Sequence, residues 1–226
     1  MRLLTDEEKK ILLITDHTLL SVDASPQQIR AVCTEGIAYQ VASVCLPPAY
    51  VPEAVEFLAG RLPVCTVIGF PNGYSSTGTK VFEAVQAQKD GASEIDAVIH
   101  VGMLKSGGYD RVRDELFRLR EACRDSILKI IIETCLLSND EKIRMCEMVT
   151  EAGADFIKTS TGFSGAGATV DDVRLLKSNV GPKVLVKAAG GISTIEDALQ
   201  MIEAGASRLG TSKMIRIIAG RAQAGY

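Results

Sequence analysis

The chain has 226 residues, a formal net charge of −3, 46% hydrophobic and 23% charged residues, the balance of an ordinary globular protein that needs no disulfide or metal staple. Scattered basic residues, no Trp and few aromatics give neither an electrostatic footprint for nucleic acid nor a base-stacking platform, so no nucleic-acid partner is expected. No apolar run approaches membrane-spanning length, and the N-terminus turns acidic at once (Asp6-Glu7-Glu8), unlike a signal or transit peptide, so no membrane partner and a cytoplasmic setting are expected.

From the N-terminus, Thr5-x-x-Glu8 reads as a capping box opening a short helix. Strands are expected at residues 11–15, 40–45, 64–68, 95–101, 129–134, 156–160, 184–188 and 208–211; they are short and largely apolar, as for strands covered on both faces. Helical patterns fill the gaps. Ser25-Pro26-x-Gln28 and Ser138-x-x-Glu141 are further capping boxes, and glycines 91, 153 and 205 sit where helices should end. No linker or charge block divides the chain, so residues 1–226 are expected to be one domain. Eight strands alternating with helices allow a (β/α)8 TIM barrel or a doubly wound open sheet.

A repeat favours the barrel. Gly91-Ala92-Ser93-Glu94-Ile95-Asp96, Gly153-Ala154-Asp155-Phe156-Ile157-Lys158 and Gly205-Ala206-Ser207-Arg208-Leu209-Gly210 share one pattern on strands four, six and eight. Alternate strands of a barrel fill one interior layer, so an acid (Asp96), an amine (Lys158) and a gap (Gly210) are expected around one cavity.

Lys158 is costly to bury unless it gives up its proton and serves as an amine nucleophile. A second lysine, Lys187, stands in a matching strand context (Val184-Leu185-Val186-Lys187), and two ammonium groups in one low-dielectric cavity repel, which favours a free amine. Lys129 and Glu133 share a strand face by parity and are expected to complete a charged interior. Gly190-Gly191 after strand seven and Gly210-Thr211-Ser212-Lys213 at the end of strand eight occupy the two loops where barrels often bind phosphate. The turn-rich stretch Gly69–Gly78 either lines the mouth or merely connects, and Asp16-His17-Thr18 ends strand one at the same rim. Six cysteines, at 33, 45, 65, 123, 135 and 146, lack Cys-x-x-Cys spacing and only two histidines exist, so no metal is expected and the thiols should be reduced.

With these residues assembled, the chain resembles the deoxyribose-phosphate aldolases, Schiff-base enzymes on a (β/α)8 barrel, along nearly its whole length. The resemblance runs through Asp16-His17-Thr18, Val44-Cys45-Leu46-Pro47, Gly69-Phe70-Pro71, Glu94-Ile95-Asp96, Lys129-Ile130-Ile131-Ile132-Glu133-Thr134, Lys187-Ala188-Ala189-Gly190-Gly191 and Gly210-Thr211-Ser212. Phe156-Ile157-Lys158-Thr159-Ser160-Thr161-Gly162 is its specific signature. It implies Lys158 as the Schiff-base nucleophile, Lys187 as the neighbouring cation that eases loss of its proton, and Asp96 as acid/base with a water. It further implies that Lys129 orders this network, that Thr18 and Cys45 line the substrate channel, and that Gly190, Gly191, Gly210 and Ser212 hold a sugar phosphate. Lys213 departs from the family, where a second serine is common, and as a cation would add to phosphate binding. Tyr226 would be a terminal phenol assisting proton transfer. The implied reaction is reversible aldol cleavage of 2-deoxyribose 5-phosphate, with sugar phosphate and aldehydes as partners and no cofactor. The helices' outer faces leave the oligomeric state open, a homo-oligomer included.

Overall fold

A computed structural model describes residues 3–220. Eight strands, β1 (Thr15–Thr18), β2 (Ser43–Leu46), β3 (Val64–Ile68), β4 (Glu94–Val98), β5 (Ile127–Ile131), β6 (Phe156–Lys158), β7 (Leu185–Ala189) and β8 (Arg208–Thr211), pair in parallel in chain order and close as β8 pairs with β1. The helices are α1 (Asp6–Leu13), α2 (Pro26–Tyr39), α3 (Val51–Leu58), α4 (Thr77–Lys89), α5 (Val101–Lys105), α6 (Tyr109–Ala122), α7 (Asn139–Ala152), α8 (Val170–Asn179), α9 (Ile195–Glu203) and α10 (Met214–Ile218). The fold is a (β/α)8 barrel with an N-terminal helix, as the repeat and element order predict. Among the described residues no helix is long and apolar enough to cross a membrane.

Local signals act as read. Thr5, Ser25 and Ser138 each accept a hydrogen bond from the backbone N–H three residues on and are capped in return by Glu8, Gln28 and Glu141. Gly153 closes α7 in the left-handed conformation, at φ +70.

The expected strand at 11–15 is corrected. The capping box carries α1 through Leu13, burying Ile11 and Leu12, and β1 starts only at Thr15. An apolar run of this length suits helix or strand equally, and the cap decided it. Strand two starts at Ser43, because Gln40 ends α2 in the left-handed region at φ +52. Strand five stops at Ile131 because Glu133 turns to φ +54 and opens a short 3-10 turn, Thr134–Leu136.

The main apolar core lies between barrel and helices: Val44, Ile95, Ile130, Ile157, Val186 and Leu209 face outward and pack with Val32, Leu116, Val149 and Leu176 of the helices. Inward-facing positions are very different. One sector holds a small patch of Cys45, Cys65 and Val67, and most of the rest of the floor is charged, with Phe156 under Arg208 and Ser43 beside Asp16.

Candidate active site

The inward residues follow from strand parity. On β4, Glu94 and Asp96 point in while Ile95 packs outward; on β8, Arg208 and Gly210 share a face by the same rule. Parallel registry then brings side chains from β1, β4, β5, β6, β7 and β8 together in the barrel interior. Lys158 Nζ donates to Asp96 Oδ2 at 2.7 Å, and Lys187 Nζ donates to the same oxygen at 2.7 Å, so the two nitrogens lie no farther apart than twice that distance. Lys187 also bonds Asp16. Lys129 Nζ reaches Asp96 Oδ1 at 2.8 Å, Glu94 Oε2 at 2.7 Å and Asp16 Oδ2 at 3.8 Å. Arg208 closes the ring, donating to Asp16 Oδ1 at 2.6 Å and standing 3.1 Å from Glu94 Oε2.

Four cations thus face three carboxylates. Burial by itself would raise Asp96, but Lys129, Lys158 and Lys187 outweigh it and hold the carboxyl well below its ordinary range. Burial would likewise raise Asp16, and Lys187, Lys129 and Arg208 overcome it to keep that group ionised. For Lys187 burial favours loss of the proton, yet Asp16 and Asp96 prevail and push it above the ordinary lysine value. Lys187 is therefore a fixed cation. Two clusters, Cys45 with Cys65 and Asp96, and Asp16 with Cys65 and Glu94, have metal-like spacing, but ammonium and guanidinium groups already occupy their carboxylate oxygens.

Above this floor opens a cavity of about 860 Å³, lined by Thr18, Lys158, Gly190, Gly191, Gly210, Ser212 and Lys213 among others. Lys158 is the member of the charged cluster that meets it. Gly190 and Gly191 adopt φ +80 and +78, and the Gly167 Cα packs so tightly on this turn that a Cβ there would come within 2.3 Å of the Gly190 carbonyl carbon. Gly210 lies deeper: a Cβ on it would meet Lys187 Cε at 3.2 Å and Ala189 Cβ at 3.0 Å. The expected trio of acid, amine and gap does surround one interior, with Asp96 beneath the floor and Lys158 and Gly210 at its surface.

Other expectations are revised. Cys45 is fully buried beside Cys65 and Val67 and does not line the cavity, whereas Thr18 does. The Cys65 neighbour lowers the Cys45 thiol, while burial drives Cys65 well above the usual range. His17 does not face the rim: β1 alternation turns it outward, where Nε2 meets Glu35 Oε2 of α2 at 2.9 Å. Glu133 does not join Lys129, because its left-handed backbone breaks the strand parity. Its carboxylate instead accepts from the Thr161 backbone N–H at 3.2 Å and from the Thr161 hydroxyl, fixing the loop after Lys158. Phe70 of the 69–78 stretch meets Phe163 edge-on at 5.2 Å, and Pro71 and Asn72 border a side cavity of about 120 Å³, so this stretch helps form the mouth. All six cysteines are free. Tyr226 lies outside the described residues.

Sequence reasoning passed over Asp16, Glu94 and Arg208 as parts of the charged floor. Parity held the signal for two of them, since Glu94 precedes Asp96 by two residues and Arg208 precedes Gly210 by two.

Residues 10–223 match the family model described as DeoC/LacD family aldolase. The chain belongs to this aldolase family. Within the family it groups with the deoxyribose-phosphate aldolases, which are carbon–carbon lyases. It is 52% identical over 212 residues to the deoxyribose-phosphate aldolase of Streptococcus agalactiae serotype Ia, covering 94% of this chain and 95% of that one. It is 52% identical over 216 residues to the enzyme of Streptococcus pyogenes serotype M4, covering 96% and 97%. Among solved structures, a putative deoxyribose-phosphate aldolase from Coccidioides immitis superposes with a TM-score of 0.92 at 42% identity, covering 97% of this chain and 88% of that one. The deoxyribose phosphate aldolase of Aeropyrum pernix, described as a unique tetramer, gives 0.88 at 29% identity, covering 96% and 92%.

Proposed function

We propose that this aldolase cleaves 2-deoxy-D-ribose 5-phosphate reversibly to D-glyceraldehyde 3-phosphate and acetaldehyde through a Schiff base on Lys158. The reading rests on one observation: Lys158 is the cluster's least-partnered cation and the one that meets the cavity. Among the described residues its only carboxylate contact is Asp96, whereas Lys187 and Arg208 each have two and Lys129 has three. Removing one proton from Lys158 leaves three cations against three carboxylates, a balanced buried cluster. Lys158 is thus the amine of the cluster that a substrate carbonyl entering the cavity can reach.

The neutral amine adds to the C1 aldehyde of the open-chain sugar to give a carbinolamine, and loss of water gives an iminium ion. Deprotonation of the C3 hydroxyl breaks the C2–C3 bond, and its electron pair moves to C2, forming an enamine as the iminium is discharged. Glyceraldehyde 3-phosphate leaves. Protonation at C2 regenerates the iminium, and water releases acetaldehyde and the free lysine. Asp96, the carboxylate bonded to Lys158, takes and returns protons with water as relay, and Lys187 keeps the charge beside it constant. Lys129 holds Asp96 from its other oxygen. The backbone N–H groups of Gly190 and Gly191, with Ser212 and Lys213 across the cavity, would receive the phosphate.

Self-association belongs to the same reading, supported by the tetrameric Aeropyrum pernix relative, and a reducing cytoplasmic setting is supported by six free thiols. Borohydride reduction in the presence of acetaldehyde tests the mechanism. It should fix a two-carbon adduct on the peptide carrying Lys158, and Lys158→Ala should lose both adduct and deoxyribose 5-phosphate cleavage. Retained cleavage in Lys158→Ala would exclude it.

A further inference from the structure

The proposed reaction gives no task to one reactive pair inside the barrel. Cys45 of β2 and Cys65 of β3 are direct partners in the parallel register and pack in the same inner patch. Neighbouring strands stand about 4.8 Å apart, inside the roughly 4.4–6.8 Å that separates the Cα atoms of a disulfide. The two sulfurs lie within 4.8 Å of each other and of an Asp96 carboxylate oxygen. Cys65 Sγ donates to Asp96 Oδ1 at 3.2 Å and accepts from Lys129 Nζ at 3.2 Å, so it touches the carboxylate that serves Lys158. Both thiols are fully buried, yet their cover is thin, because half-buried Leu20 packs against their patch and also lines the main cavity. A small shift of Leu20 would open a path for a molecule little larger than water. At Cys45 the Cys65 contact, joined by Lys187 and Lys158, favours the thiolate in spite of burial. Cys33, Cys123 and Cys146 lie in apolar surroundings that push them up to about 11, 11 and 12.

We propose that Cys45 and Cys65 are a redox modification site, a dithiol that hydrogen peroxide closes to a disulfide between β2 and β3, silencing the enzyme reversibly. The silencing rests on Asp96 acting as acid/base in the reading above; the disulfide does not. The Cys45 thiolate attacks one peroxide oxygen, the O–O bond breaks, and the departing hydroxide takes up the proton that Cys45 gave up, leaving a sulfenic acid and one water. Cys65 sulfur then attacks the Cys45 sulfur, the S–S bond forms, and the sulfenic hydroxyl leaves with the Cys65 proton as a second water. Two thiols are oxidised and one peroxide is reduced. Forming the bond draws Cys65 sulfur to about 2 Å from Cys45. It takes from Asp96 its S–H donor and from Lys129 its sulfur acceptor, so the carboxylate under Lys158 loses its setting. A dithiol such as dithiothreitol, or the reduced thiols of a cell, would reverse the bond by exchange.

The experiment treats Cys135→Ser, which removes the exposed thiol, with hydrogen peroxide, alongside the same protein carrying Cys45→Ser or Cys65→Ser, each compared with its own untreated activity. Peptide mapping without reductant should find Cys45 joined to Cys65, two hydrogens lighter than the reduced pair. Deoxyribose 5-phosphate cleavage by the cross-linked protein should fall by about a hundredfold, the lower end of what a positioned acid–base group contributes, and return with dithiothreitol. Cys45→Ser should keep its activity under peroxide. Cys65→Ser has no second thiol to close the bond, so Cys45 should carry added oxygen and any loss should resist dithiothreitol. Absence of the cross-link, or an equal and reversible loss in Cys45→Ser, overturns the site. A complete cross-link with undiminished cleavage overturns the silencing. Untreated enzyme that forms no borohydride adduct on Lys158 fails the Schiff-base reading alone, since the cross-link is read by mass and not by turnover.

Discussion

Replacing Asp96 by Asn keeps the side chain's size and removes its charge, so it isolates what the carboxylate does. Its two oxygens lie 2.7–2.8 Å from the nitrogens of Lys129, Lys158 and Lys187. At an effective dielectric near 20, each such pair represents about 6 kcal/mol of gross attraction, and desolvating the buried ions offsets most of the total. What survives is the cost of leaving ammonium groups uncompensated, about 3–5 kcal/mol for breaking a buried pair from one side. Urea unfolding at pH 7 should show a midpoint about 1–2 M below wild type. The pH dependence has a definite sign. Asp96 titrates lower in the folded protein than the roughly 3.9 of an unfolded chain, so its contribution is complete above about pH 4 and fades as pH falls further. The gap between wild type and Asp96→Asn should therefore be constant from pH 5 to 7 and narrow below 4. Equal midpoints at pH 7, or a gap that grows in acid, would refute the view that Asp96 is the charged centre of the cluster.

Lys187→Met removes the cation that shares Asp96 Oδ2 with Lys158 and leaves the carboxylate less firmly placed. Borohydride trapping at neutral pH should slow by about a hundredfold, the lower end of what a positioned acid–base group contributes; trapping at the wild-type rate would show that Lys187 does not act on the reaction at Lys158. Glu133→Ala leaves the Thr161 N–H and hydroxyl without their acceptor and should cost about 1–3 kcal/mol in denaturant unfolding, with KM raised more than kcat is lowered because the loop borders the cavity. Gly167→Ala places a Cβ 2.3 Å from backbone and cannot be relieved by a side-chain shift, so the Gly190–Gly191 turn must move. That variant should lose affinity for the phosphorylated sugar, and wild-type KM would argue that the turn does not serve the phosphate.

The parts of the fold that were legible are those written locally. Capping boxes, helix-ending glycines and short β-branched runs specified eight strand–helix units, and the Gly-Ala repeat on even strands favoured closure over an open sheet. Boundaries failed where a single residue's backbone decided them, as at Gln40 and Glu133, both left-handed without being glycine or asparagine. Lys158 could be singled out because a lysine after two apolar residues is conspicuous. Asp16 and Arg208, elsewhere in the same cluster, were less so, since their pairing spans 192 residues and only ring closure brings them together. His17 shows the opposite error: a residue at the right end of a strand, read as rim-facing, is turned outward by the two-residue period.

That ring closure has a consequence for how the protein is made. Asp16 leaves the ribosome 171 residues before Lys187 and 192 before Arg208, the cations that neutralise it. Until β8 docks against β1, the interior holds ions without counterions and cannot dry out. A half-built barrel is thus an unfavourable stopping point even with its early helices formed, and its long-range pairing must wait for the last strand. The last step of folding is also the step that completes the buried charged cluster beneath the cavity, so a chain that has not closed has not yet formed the floor on which Lys158 stands.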